Sequence, residues 1–589
     1  MADNNNFVNK DFQIVDYVLF VVSLIIPIAI GVYYGFFGGT KRSSRENLLG
    51  SGRLGIFPVA MALIATYMSA ISVMGYPSEI YHYGGMMLYY LVAYLFVFPL
   101  VAYVFLPVMH PLKLTSVYEY LEMRFSKTVR QMAAFIFCFQ VFLYLAVVLY
   151  APALALSSVT PINVTASILV TGLIATFYTS LGGSNAVVWT STVQMLLIVG
   201  GTLAVLISGS INAGGMDVVW AKGVHGLRVY FTDIRPDPRV RHSVWSVVIG
   251  GTFTILTLFT VNQMGVQRYF SMPTLRSAQT MVLLNVPLNY ICTTIFFLIG
   301  LVLYNTYGQC DPMMLHKTAK PDQLLPFYVA DKLHFATGLP GLFVSGLYGA
   351  GLSTLSSGFT ALAMVFLEDV VKPLFRWFTK GSLSPRASFI VSKLLACFCG
   401  LLVVGLAFAV GVIKFTVVQV SLSIFGIVGG PVLGIFIMGM FLPFTNSKGA
   451  VAGILAGLTF TMWLGFGAIA AGITPYMLPL STDGCSSNGT SALNVTMPEW
   501  QRNRVRPASA EDSILVSFYE ISYQYYSLIG VLVTLIIGVA VSCLTGCQNG
   551  NFVKPTLLLP IVRRFGRVKE TYELKIEKFD DGEGTLPMT

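Results

Sequence analysis

Apolar runs of roughly 20 residues, separated by short polar stretches, recur along the chain from residue 14 to residue 545. They read as 14–35, 56–78, 86–109, 131–157, 162–182, 186–209, 243–265, 278–304, 340–368, 388–412, 417–441, 449–471 and 525–545, about thirteen helices of the length that crosses a ~30 Å hydrocarbon core. The opening MADNNNFVNKDF has no basic region followed by a small-residue cleavage site, so the pattern predicts no cleaved signal peptide and a retained first helix.

Composition agrees with this pattern. A chain that is 55% hydrophobic, 11% charged and of mean hydropathy +0.74 is an all-α polytopic membrane protein rather than a soluble globule. With the N-terminus outside and the C-terminus inside, about 23 of the 36 Lys and Arg fall on cytoplasmic segments and about 13 outside, the expected bias. The segment from Lys222 to Arg241 dissents, being basic and outside, though it is long and carries Asp217, Asp233 and Asp237.

The same parity puts the acceptor sequons at Asn488 and Asn494 outside, in the 472–524 loop, as expected for glycosylation. It also makes Cys310 and Cys485 the outer-loop cysteines; they either pair as a disulfide or stay as two free thiols. Sequons outside favour the plasma membrane. The net charge of +10 is spread over short inner loops, which points to lipid headgroups as partners and to no nucleic acid. Residues 546–589 read as a mostly disordered cytoplasmic tail.

Chemistry inside the membrane is sparse. Apart from Asp16, Glu368, Asp369 and Lys393, the runs hold almost no ionisable residue, so neither a proton relay nor an intramembrane enzyme is expected. His82, His110, His225, His242, His316 and His334 all fall in loops or at run ends. Many glycines and several interrupted helices fit a secondary transporter instead.

One stretch is unusual. In GAGLSTLSSGFTALAMVFLED, residues 349–369, a membrane-length helix carries Ala350, Ser353, Thr354 and Ser357 on one face, at i, i+3, i+4 and i+7. Small residues and hydroxyls of this kind serve close helix packing, or they supply neutral oxygens to an alkali cation. A cation site also needs carbonyls freed by a broken helix. LIATYMSAISVMGYPSEIY offers one, where Ser69, Ala70, Ser72 and Gly75 precede Pro77, and Gly250-Gly251 marks a comparable weak point in the seventh run. Without the first helix these are the first and sixth spans, as in two five-helix repeats of opposite topology. The division expected is 1–50 for the outer N-terminus, anchor helix and first inner loop, 51–241 and 242–445 for the two repeats, 446–545 for additional helices with the glycosylated loop, and 546–589 for the tail.

The stretches GYPSEIYHYG, LTSVYEYLEMRF, VLYAPALAL, RPDPRVRHSVW, VNQMGVQRY, PDQLLPFYV, LSTLSSGFTALAMVFLEDVVKP and SIFGIVGGPVLGIF run in order from the second run to the eleventh. In them the chain resembles the sodium/solute symporter family, in its branch of sodium-dependent multivitamin, monocarboxylate and iodide transporters. The resemblance implies a sodium ion held by the carbonyls of Ala65, Met68 and Ala350 and the hydroxyls of Ser353 and Thr354. It implies that Ser69, Ser72 and Tyr144 lie around the substrate and a further ion. In the sugar-carrying branch, two amides and a lysine contact the hexose at positions aligning with Ser72, Ile255 and Asn289, which places Ile255 in the substrate site and disfavours sugar. In LGGSNAVVWTSTVQ, Asn185 and Ser191 stand where the family typically has a lysine and an aspartate, the latter on the sodium exit route. The expected function is sodium-coupled symport of a small organic anion, vitamin-like or monocarboxylate, by alternating access; an uncoupled carrier, or a ligand sensor or sodium-leak channel on the same fold, is the alternative.

Overall fold

The computed structural model describes residues 12–37, 54–160, 162–411, 416–473, 477–482, 484–485, 514–548 and 553–565, and among them every regular element is helical. Ten helices are long and apolar enough to cross a membrane, or up to twelve spans if each of two bent pairs counts as one. The long helices are Ile14–Phe36, Gly85–Leu112, Lys127–Ser157, Val164–Asn212, Leu275–Tyr307, Leu339–Thr379, Pro385–Val410, Val417–Phe441, Ser447–Ala470 and Tyr523–Leu544.

Their burial sorts them into an inner and an outer set. The best part of Leu339–Thr379 is 94% buried and that of Lys127–Ser157 is 78% buried, against 22% for Ile14–Phe36. The serine- and glycine-rich helix is therefore the axis of the bundle, where its small residues admit close neighbours: a Cβ on Gly358 would meet Leu145 at 2.5 Å, and one on Gly351 would meet Pro152 at 3.2 Å. Asp16, 2% exposed, accepts from the Gly341 amide at 2.8 Å and so caps the start of this central helix, where a carboxylate complements the helix dipole.

The runs 162–182 and 186–209 are observed as one helical stretch, Val164–Asn212. Its 49 residues would extend ~74 Å if straight, more than twice the hydrocarbon core. Gly183 interrupts it at φ 67°, ψ −169°, a conformation that only glycine takes readily. Lys393 donates to the Leu181 carbonyl at 3.2 Å, satisfying an acceptor beside that bend.

Two spans are broken. Ile56–Tyr67 and Ala70–Tyr83 meet at 60°, and Ser246–Val261 and Gln263–Phe270 meet at 53°. The first break falls at Met68 (ψ 73°) and Ser69 (ψ 175°), eight residues ahead of Pro77, which sits inside a continuous helix. The second falls at Asn262 (φ −87°, ψ 122°), not at Gly250-Gly251. Those glycines serve contact instead, since Cβ atoms there would meet the Gln524 carbonyl at 2.6 Å and the Tyr90 ring at 2.9 Å. A π-helical turn over Thr257–Val261 precedes the break, and the Asn262 side chain caps the next half-helix through the Met264 amide.

The start of the tail also departs from expectation. Residues 553–565 are ordered, with Leu557, Leu558 and Leu559 buried, Tyr120 donating to the Leu557 carbonyl at 3.0 Å and the Leu559 amide reaching Met440. Leucines that leave water outweigh the polar composition of the segment around them.

Candidate functional site

A regular helix would give the Ala65 carbonyl to the amide of residue 69, but the chain leaves the helix at Met68. Ala65 is instead approached by the central helix: Ser353 Oγ lies 2.7 Å from its carbonyl oxygen and Thr354 Oγ1 3.5 Å. The same hydroxyls lie 3.0 and 3.2 Å from the Ala350 carbonyl. Ala65, Ala350, Ser353 and Thr354 are each fully buried. Four neutral oxygens thus converge in a dry place, the donor set that suits a hard cation. Met68, the fifth residue of the expected set, is the break itself.

The strip continues. Ser357 Oγ, one turn further along, is 3.0 Å from Thr66 Oγ1 and accepts from Arg268 Nη2 at 2.8 Å. The two breaks face each other through Tyr67, whose hydroxyl donates to the Leu258 carbonyl and whose ring lies 4.7 Å from that of Phe259. Ser69 caps the half-helix Ala70–Tyr83 by accepting the Ile71 amide at 3.2 Å, and the Tyr144 hydroxyl lies within its reach. Ser72 is partly buried and its hydroxyl points back to the Tyr67 carbonyl at 3.4 Å. Ile255 is buried seven residues before the second break, so it lies on a neighbouring span and about two turns from that break. Asn289 bonds back to the Asn285 carbonyl of its own helix.

Ser191 is fully buried, and its hydroxyl has no partner among the described residues. Its neighbour Thr192 donates to the Pro58 carbonyl at 3.1 Å, which fixes this part of the chain against the start of the first broken span. Asn185 is buried just past the Gly183 bend. Cys310 and Cys485 are joined as a disulfide, Cα atoms 5.0 Å apart, beside backbone bonds from Asp311 to Ser481 and from Gly484 to Gln309. Asn488 and Asn494 lie outside the described residues.

The expected poverty of buried charge needs correcting. Glu79, fully buried, receives Arg241 Nη2 at 2.8 and 3.0 Å and the Thr416 hydroxyl at 2.7 Å, while Arg241 Nη1 donates to Gln419 at 2.8 Å. Arg241 also lies over the rings of Tyr83 and Tyr523. Asp322 joins this cluster through the Val417 amide, and burial pushes its carboxyl up to about 7. Glu79 and Arg268 fall one and three residues beyond the apolar runs assigned to their spans, and Arg241 and Asp322 sit in adjoining loops. Each nevertheless lies within a family-like stretch, GYPSEIYHYG, RPDPRVRHSVW, VNQMGVQRY or PDQLLPFYV, and that was the signal available.

Broken helices that face each other beside a buried oxygen cluster define a polytopic membrane carrier. The sodium:solute symporter family model matches residues 48–457. Human sodium-coupled monocarboxylate transporter 1 is 40% identical over 546 residues, covering 92% of this chain and 88% of that one. Human sodium-coupled monocarboxylate transporter 2 is 39% identical over 94% of this chain and 88% of its own, and rabbit (Oryctolagus cuniculus) sodium-dependent multivitamin transporter 38% identical over 95% and 87%. A solved structure of a sodium-coupled sialic acid symporter in a substrate-bound outward-open state superposes with a TM-score of 0.74 at 24% identity, covering 91% of this chain and all of that one, which shows a shared fold. The chain belongs to the sodium:solute symporter family, and its activity is sodium-coupled solute symport with sodium as the coupling ion.

Proposed function

We propose that the protein carries small organic anions, monocarboxylates or vitamin-type carboxylates, together with sodium across the plasma membrane. The observation that carries this reading is the convergence of Ala65, Ala350, Ser353 and Thr354 oxygens at a broken helix. There the sodium ion sits against the carbonyl end of Ile56–Tyr67, with Met68 completing its ligands. The N-terminal end of Ala70–Tyr83, capped by Ser69 and flanked by Ser72, Tyr144 and Ile255, faces the carboxylate with its positive dipole end. Cation and anion thus neutralise each other at one break. In this reading the long helix divides at Gly183 into two spans, for thirteen in all, with the N-terminus outside, the C-terminus inside and inverted repeats over 51–241 and 242–445; the Gly183 bend supports the division.

Coupling ratio follows from driving force. At roughly −60 mV and a ~10-fold sodium gradient, one sodium per monovalent anion supports ~10-fold accumulation and two support ~1,000-fold. Uptake of labelled lactate, pantothenate, biotin and iodide into cells expressing the chain, in sodium or in choline, tests the reading. Sodium-dependent accumulation of a carboxylate is the expected result; carboxylate entry that never exceeds equilibrium indicates the uncoupled alternative, and ligand-gated current without accumulation indicates the channel or sensor.

The uncoupled alternative draws support from Ser191 and Asn185, where both family charges are absent. A carboxylate restored at the buried Ser191 attracts a passing cation, so Ser191→Asp is expected to lower half-saturating sodium by about threefold or more. Unchanged sodium dependence and turnover would remove the residue from the exit route.

A further inference from the structure

Arg268 is 1% exposed, yet its guanidinium makes one hydrogen bond among the described residues, from Nη2 to Ser357 Oγ, and its Nε has no partner. None of the ion pairs among the described residues involves it. The other buried arginines are provided for. Arg124 donates to the carbonyls of Gly439, Leu442, Pro443 and Thr445, Arg228 to those of Tyr81, Gly226 and Pro479, and Arg241 is paired with Glu79. A guanidinium has five donors in a planar fork, and holding it in a dry site with one hydroxyl is unfavourable unless an anion visits.

The half-helix Gln263–Phe270 that carries Arg268 has other unmet polar groups: Gln267 Oε1 within it and Nδ2 of its cap, Asn262, are buried without partners among the described residues. Through Ser357 and Thr66, Arg268 is tied to the residue next to Ala65, and Ser357 lies one turn from Ser353 and Thr354 on the same face. The cation-type oxygens and the hydroxyl that holds Arg268 therefore occupy successive turns of the central helix, with Arg268 reaching it from the half-helix Gln263–Phe270. In the orientation proposed above, Arg268 is on the cytoplasmic side of the sodium site.

We infer that Arg268 forms a second carboxylate-binding station that receives the anionic cargo on its way to the cytoplasm. The fork takes both oxygens of a carboxylate, which an uncharged amide of the same shape cannot match. A sodium ion alone, moving past the same turn, meets a like charge, whereas a sodium ion leaving with the anion does not. The station gives the exit step a preference for the loaded carrier. This inference rests on the carboxylate reading of the cargo.

The test is binding to purified full-length protein in choline, read as the rise in apparent melting temperature with L-lactate, with lactamide as the uncharged probe and choline chloride as the salt control. Wild-type protein is expected to be stabilised saturably by lactate and at least tenfold less potently by lactamide. Arg268→Gln is expected to need at least tenfold more lactate, and Arg268→Lys, which keeps the charge and loses the fork, several-fold more. Equal potency of lactate in the wild type and in either variant, equal potency of lactamide, or no lactate effect beyond the salt control would overturn the station; if Arg268→Gln does not fold, Arg268→Lys decides. Absent sodium-dependent lactate uptake alongside lactate binding that Arg268→Gln weakens would sink the proposed carboxylate cargo and leave the station standing as an anion site. Uptake alongside unchanged binding in the variants would do the reverse.

Discussion

Cells expressing Ser353→Ala/Thr354→Ala are expected to accumulate no labelled carboxylate above the choline background, with the protein still at the surface. The two hydroxyls supply two of the five oxygens proposed for sodium, and each charge-assisted contact contributes about 1.5–3 kcal/mol. Losing both raises the sodium needed by between roughly 100-fold and 10,000-fold, beyond any external concentration that supports transport. Each single variant keeps one hydroxyl and shows the smaller shift of about 10-fold to 100-fold. Both variants also strip hydroxyl donors from the Ala65 carbonyl, so a folding defect must be separated from a binding one. Ser345→Ala provides the comparison: that hydroxyl, also buried on the central helix, bonds among the described residues only back to the Gly341 carbonyl, and its removal is expected to leave sodium dependence unchanged. Half-saturating sodium within twofold of wild type in the double variant would move the ion elsewhere.

Legibility in the sequence followed how strictly physics constrains each feature. Membrane spans were readable because an unpaired backbone in hydrocarbon is costly, which forces long apolar helices whatever else the chain does. The hydroxyl strip was readable because helical periodicity puts Ala350, Ser353, Thr354 and Ser357 on one face; the three hydroxyls reach the first broken span or Arg268, and the Ala350 carbonyl accepts from two of them. Break points were not readable from Gly and Pro. Pro77 lies within a helix, and Gly250 and Gly251 provide close contact with other segments, while the actual breaks fall at Met68-Ser69 and at Asn262, where a polar side chain caps the next half. Capping residues were the better signal. Arg268, Glu79 and Arg241 were missed for another reason: each lies just past the end of an apolar run, and only the folded bundle shows that broken helices carry such residues into the interior.

Arg241→Met is expected to be among the most destabilising single changes in the molecule, by about 3–5 kcal/mol, because it leaves the Glu79 carboxylate buried with Thr416 as its main remaining partner. Replacing both partners, as Glu79→Gln/Arg241→Met, should recover most of that loss, since a buried pair exchanged for neutral groups is close to neutral in stability. The pair joins the second half of the first broken span to the loop before the second, and through Gln419 and Thr416 to the start of Val417–Phe441. Asp322 adds a pH dependence with a definite sign. Its folded value is raised from 3.8 to about 7, chiefly by burial and further by Glu79, so the stability linked to its neutral form is full below pH 3.8 and is lost as pH rises through about 7. With Arg241 gone, Glu79 keeps its charge beside Asp322 without its guanidinium, and protonating Asp322 relieves the conflict. The deficit of Arg241→Met should therefore be smaller at pH 6 than at pH 8, and the double variant should flatten that difference, both read from thermal unfolding of purified protein. An Arg241→Met deficit that is small, or that does not depend on pH between 6 and 8, would mean that Glu79 reaches water in the folded protein and that these helix ends are not closed by charge.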